Sequence, residues 1–139
     1  MPSPVALILY WTQQNKNSLT ALVGALETCE CFDRLAIYRC TDEQKVLAAL
    51  AAAAGRNQQA VICMSFFTSR VPAISGFVKK IRAVAGGDCL LVAGGPHPTG
   101  DPHGRLEMGF DIVVCGEGEK TFTELMQRLC AGYGYHDLN

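Results

Sequence analysis

The chain has 139 residues, 49% hydrophobic and 18% charged, with a formal net charge of −1 at pH 7. That length serves one domain with one core, and the apolar content excludes a disordered chain. No basic run exceeds Lys79–Lys80, which excludes a phosphate-tracking nucleic-acid surface. Nor does any apolar stretch approach the roughly 20 residues needed to span a bilayer, so no membrane partner is expected. The opening MPSPVALILYW lacks the basic region and small-residue cleavage site of a signal peptide. Of the seven cysteines, Cys29 and Cys31 form a CxC, and there is no paired CxxC of the kind that zinc takes. An odd count without a secretory leader fits a reducing, cytoplasmic setting. Cys63, Cys89 and Cys115 fall inside apolar runs, where a thiol acts as a small hydrophobe.

Strand and helix signals alternate along the chain. Val5–Tyr10 is an uninterrupted apolar run and predicts the first strand. Leu19, Leu22, Val23 and Leu26 then recur at helical spacing. Arg34–Tyr38 predicts a second strand at a sheet edge, being the least hydrophobic. Thr41–Gln44 reads as a capping box, with the threonine hydroxyl accepting the Gln44 amide. The alanine-rich helix it opens is expected to stop at Gly55. Ala60–Ser65 predicts the third strand. Ile74, Phe77, Val78, Ile81 and Val84 mark an amphipathic helix ending at Gly86–Gly87. Leu90–Ala93 predicts the fourth strand. Asp101–Pro102 resembles an N-cap with proline at the first helical position, opening a short helix to Met108. Asp111–Cys115 predicts the fifth strand, and Phe122, Leu125, Met126 and Leu129 the last helix, closed by Gly132.

Such alternation means βαβ units and a parallel sheet. Right-handed crossovers leave few arrangements. The expected fold is an α/β three-layer sandwich, flavodoxin-like (Rossmann-like), with a five-stranded parallel sheet of order 2-1-3-4-5 and a switch point between strands one and three. The loops after strands one, three, four and five then share one rim, where ligands of such sheets bind.

The loop after strand one, Trp11–Asn17, has no glycine, so it is not a GxGxxG dinucleotide loop, and no P-loop occurs. Tyr10–Trp11 and Ser65–Phe66 stand where a phosphoacceptor receiver needs aspartates. After strand three, Ser65 and Thr68 flank Phe66 and Phe67. That suits a large, flat ligand with polar edges, although the phenylalanines would equally cap the core. After strand four, Gly94 and Gly95 allow close backbone approach, and Pro96, His97 and Pro98 follow. With no acidic or thiol partner at ligand spacing, His97 reads as a polar wall of a site rather than a metal ligand; no metal site is expected. After strand five come Gly116, Glu117, Gly118 and Glu119. The glutamates serve either as helix-start carboxylates or as hydrogen-bonding partners of a ligand amide or ribose.

GGPHPT at Gly94–Thr99, a short helix, and FDIVVCGEGEKTFTEL at Phe110–Leu125 together resemble the N-terminal cobalamin-binding domain of the cobalamin-dependent radical SAM enzymes. The resemblance covers essentially the whole chain. It implies a module over residues 1–132, with 133–139 beginning an interdomain linker. Cobalamin-binding domains often carry DxHxxG after strand one, a serine motif after strand three and a GG after strand four. Ser65–Phe67 matches the second loosely and Gly94–Gly95 the third, while the first is missing.

The resemblance thus implies a corrinoid held base-off, with no protein histidine on cobalt. Its nucleotide tail would run between the loops after strands one, three and four. The implied cofactor-binding residues are Trp11, Thr12, Ser65, Phe66, Phe67, Thr68, Gly94, Gly95, Pro96, His97, Gly116, Glu117 and Gly118. Ser65 and Thr68 would bond the tail, and the backbone of Gly94, Gly95 and Gly116 would face the corrin side chains.

The implied partner is a radical SAM catalytic domain, which carries an iron–sulfur cluster and SAM. That domain needs CxxxCxxC, a spacing absent among these cysteines, so the chain alone is expected not to be catalytic. The alternative is a structural or interaction domain of the same fold that binds no corrinoid.

Overall fold

The computed structural model describes residues 5–10, 16–28, 30–65, 71–85, 89–94, 109–113 and 119–130. Strand β1, Val5–Tyr10, has every residue buried, and Val5 to Ile8 have no exposure at all. A strand covered on both faces must be apolar at every position, which is why VALILY reads as a run and not as an alternation. Helix α1 (Lys16–Glu27) follows, then a 3-10 turn at Glu30–Arg34, strand β2 (Leu35–Cys40) and helix α2 (Glu43–Gly55). Strand β3 (Gln59–Ser65), helix α3 (Val71–Ala85) and strand β4 (Cys89–Gly94) complete the next unit. A two-residue strand β5 (Ile112–Val113) and helix α4 (Glu119–Cys130) close the described chain.

All pairings are parallel. The four full strands run in the order β2-β1-β3-β4, as a flavodoxin-like sheet requires. At the fifth place, Ile112 and Val113 pair with Val92 and Ala93. The longer strand expected over Asp111–Cys115 runs beyond the described residues.

Side chains alternate between two cores. One face of the sheet presents Ala6, Ile8, Ile62, Met64 and Leu91 to Val46, Ala49, Leu50 and Ala53 of α2 and to Ile74, Phe77, Val78 and Ile81 of α3. The opposite face presents Leu7, Leu9, Val61, Cys63 and Val92 to Leu26 of α1 and to Phe122, Leu125 and Met126 of α4. Helices thus cover both faces of the sheet, in three layers.

Several sequence expectations need correction. The cap of α2 is Asp42 and not Thr41: its carboxylate accepts the Lys45 amide at 2.8 Å. A charged acceptor makes the stronger cap bond, and the Thr41 hydroxyl accepts from Lys45 Nζ at 2.9 Å and not from the Gln44 amide as expected. Such a cap contributes about 1 kcal/mol. The helix stops at Gly55, as expected, but as its last helical residue and not as its cap. Arg56 is the C-cap, donating its amide to the Ala53 carbonyl at 3.1 Å, and Asn57, whose amide donates to the Ala54 carbonyl at 3.2 Å, takes the positive φ of 54°. Asparagine tolerates that region because its short polar side chain bonds locally. Strand β2 is shifted to 35–40, β3 begins one residue earlier at Gln59, and β4 extends to Cys89 and Gly94.

Val84 is 69% exposed, against 4% or less for Ile74, Phe77, Val78 and Ile81. A 3.6-residue period carries the buried stripe from Ile81 to Ala85, which packs on the core, and so past Val84. The short helix expected from Asp101 to Met108 lies outside the described residues. No helix among the described residues is long and apolar enough to cross a membrane.

Candidate ligand site at the switch point

Helix α1 follows β1 and packs on one face; α3 follows β3 and packs on the other. Strands β1 and β3 are neighbours, Leu9 facing Cys63 in register. The order of the sheet thus switches between β1 and β3, the place where open α/β sheets take ligands.

The residues ending the strands define that rim. Tyr10 ends β1 opposite Cys40, which ends β2, and Ser65 ends β3 opposite Gly94, which ends β4. The pairing of Ser65 with Gly94 brings two residues named from sequence side by side. Gly94 carries no Cβ to stand between its main chain and a ligand.

On the α2–α3 face, the Tyr10 ring is 7% exposed and meets Phe77 edge-on, with centroids 5.4 Å apart and planes at 73°. That geometry is favourable for aromatic quadrupoles and gives the end of β1 a firm apolar floor. Tyr10 was legible only as the last member of a strand run, and its pairing with Phe77 depends on the docking of α3. Trp11, Thr12, Phe66, Phe67, Thr68, Gly95, Pro96, His97, Gly116, Glu117 and Gly118 lie outside the described residues.

Two thiols lie near the rim. Burial pushes the Cys40 thiol up from its ordinary value; the nearby Asp42 carboxylate adds to this and Lys45 opposes it. Cys63 is pushed up far more, by burial alone. Both are held as neutral thiols, poor nucleophiles and poor metal ligands. Cys40, Cys63 and Cys89 are buried outside any disulfide, as expected for Cys63 and Cys89; Cys115 lies outside the described residues. Among the described residues no three His, Cys, Asp or Glu side chains gather as a metal site.

Behind the rim, at the β4–β5 edge, stands a polar cluster not anticipated from sequence. The Asp111 carboxylate accepts the Leu91 amide at 2.8 Å and Arg82 Nη2 at 2.7 Å. In return the Asp111 amide donates to the Leu91 carbonyl at 2.9 Å. Arg82 also donates to the carbonyls of Gly109 at 2.8 Å and Cys89 at 3.1 Å. The sequence signal was an aspartate at the head of an apolar run together with an arginine next to the buried stripe of α3.

A protein-family model described as a B12 binding domain matches residues 14–126. No curated protein matches the chain.

Proposed function

The chain belongs to the B12-binding domain family, and from that premise we propose that it holds cobalamin base-off at the β1/β3 switch point, without a protein histidine on cobalt. The observation that carries this is the pairing of Ser65 with Gly94 at the carboxyl ends of β3 and β4, beside that switch point. A corrin is broad, flat and fringed with amides. It needs backbone donors and acceptors within close approach, small hydroxyls, and an apolar support. Gly94, Ser65 and the Tyr10–Phe77 floor fit that requirement.

In this reading Ser65 and Thr68 bond the nucleotide tail. The backbone at Gly94, Gly95 and Gly116 meets the corrin amides, while Trp11, Thr12, Phe66, Phe67, Pro96, His97, Glu117 and Gly118 line the remainder of the rim. Residues 1–132 make the module, with Asp111–Cys115 as a complete fifth strand, and 133–139 lead toward a radical SAM domain that carries the iron–sulfur cluster and SAM. Bound cobalamin would supply a methyl-carrying or redox-active cobalt to that domain; this chain's part is to bind and orient it.

Titration with hydroxocobalamin and methylcobalamin, followed in the visible spectrum and by calorimetry, tests the proposal. Saturable binding with a base-off methylcobalamin spectrum is expected. Gly95→Trp, which fills the approach to the main chain, is expected to weaken binding at least about tenfold, or ~1.4 kcal/mol. A base-on spectrum would overturn the tail placement. Absence of binding by a protein shown to be folded would favour a structural or interaction domain.

A further inference from the structure

Strand β5 is described over two residues only, Ile112 and Val113. The register of this ladder decides which face of the sheet Ile112 takes. A slip of one residue would turn Ile112, which packs with the α1–α4 core, toward the other face. The Arg82–Asp111 cluster is placed to hold that register. Leu91 and Asp111 exchange two hydrogen bonds, amide to carbonyl and amide to carboxylate, immediately before the Val92–Ile112 pair. Arg82 then ties this exchange to α3 and to the Gly109 carbonyl. Phe110, between them, is buried in the α2–α3 core. Every link is a named contact, and together they fix residues 109–111 against β4 and α3.

In the amino-acid sequence, the glycine pair Gly94–Gly95 follows β4 directly and Gly116–Gly118 follows β5 closely. The register of β5 against β4 sets the relative positions of Gly94 and Val113, the last described residues before those loops in the sequence. We propose that Asp111 and Arg82 are positioning residues for the ligand rim: they pin β5 to β4, and through that register they align the two loops for cobalamin. This inference rests on the cobalamin reading above. Neither residue touches the ligand; both act through the strand ends.

The test compares Asp111→Ala, Asp111→Asn and Arg82→Lys with Ala49→Gly, a destabilising change on α2 away from the β4–β5 edge. Two measurements are made on each protein. The first is amide exchange at Leu91, Ile112 and Val113 without ligand. The second is the affinity and visible spectrum with methylcobalamin. Asp111→Ala is expected to speed exchange at those amides at least tenfold, to leave β1 amides unchanged, and to weaken methylcobalamin binding at least tenfold. Asp111→Asn, which keeps an oxygen for the Leu91 amide, is expected to recover part of both.

Ala49→Gly is expected to lower the melting temperature while leaving affinity and spectrum unchanged. Should Asp111→Ala fail to fold, Asp111→Asn and Arg82→Lys carry the comparison. Affinity and spectrum equal to those of Ala49→Gly would overturn the positioning role. Wild-type protein that binds no cobalamin would overturn the cobalamin reading alone. Exchange at Ile112 and Val113 would still decide the clamp, and rates no faster than in Ala49→Gly would overturn it.

Discussion

Phe77→Ala is expected to lower the unfolding free energy by about 3–5 kcal/mol, with a fall of roughly 10 °C in melting temperature. Phe77 is among the largest fully buried side chains, 1% exposed, and lies where α3 meets the sheet. Its loss removes the transfer free energy of the ring and leaves a cavity that helix and strand can close only in part. It also strips Tyr10 of its edge-on partner, so the end of β1 loses its floor. Against a total stability of about 5–15 kcal/mol for domains of this kind, the loss is severe. Val84→Ala, on the same helix but exposed, should fall within about 0.5 kcal/mol of wild type. Urea denaturation of the three proteins checks both expectations, and equal midpoints for the two variants would contradict the assigned helix orientation.

Gly109→Val is expected to cost about 2–4 kcal/mol by the same measurement. Gly109 has φ +115°, a region that a β-branched residue does not enter without strain. A Cβ there would also stand 3.0 Å from Val78 Cγ1, within the buried surface of α3. Both effects act at the point where the chain returns to the sheet edge and the Gly109 carbonyl accepts from Arg82. Gly76→Ala should have the opposite sign. Gly76 is helical, and nothing lies within 4 Å of an added Cβ, so removing glycine from the helix interior should stabilise by about 0.5–1 kcal/mol.

These contrasts mark what can be read from residues alone. Strands β1, β3 and β4 were legible because a strand covered on both faces leaves no room for polar residues, and the order of the four full strands is among the few that right-handed crossovers leave. Their ends were not, since ladder bonds belong to the backbone and continue through Gln59 and Gly94 whatever the side chain. The cap of α2 was placed one residue early because Thr41 and Asp42 are both competent acceptors, and the sequence alone does not choose between Thr41 on the Gln44 amide and Asp42 on the Lys45 amide. Val84 was assigned to the buried stripe because i+3 and i+4 spacings are equally helical, and only the docked helix selects Ala85.

At the rim, adjacency of Ser65 and Gly94 was implied by strand order and is met in register. For the Arg82–Asp111 cluster the sequence held two separate signals but not their pairing. It joins residues 29 apart in sequence, and each alone looks like an ordinary surface charge.

Cys40, Cys63 and Cys89, the buried thiols among the described residues, have a practical corollary. Cys40 sits on outer strand β2, Cys63 on inner strand β3, and Cys89 at the start of β4, each no more than 4% exposed. An alkylating reagent can reach them only through transient openings of the native state, so each labelling rate reports the opening of a different strand. The thiols thus form a built-in set of unfolding reporters, able to show whether the sheet frays from its flanks or opens all at once, without any introduced label.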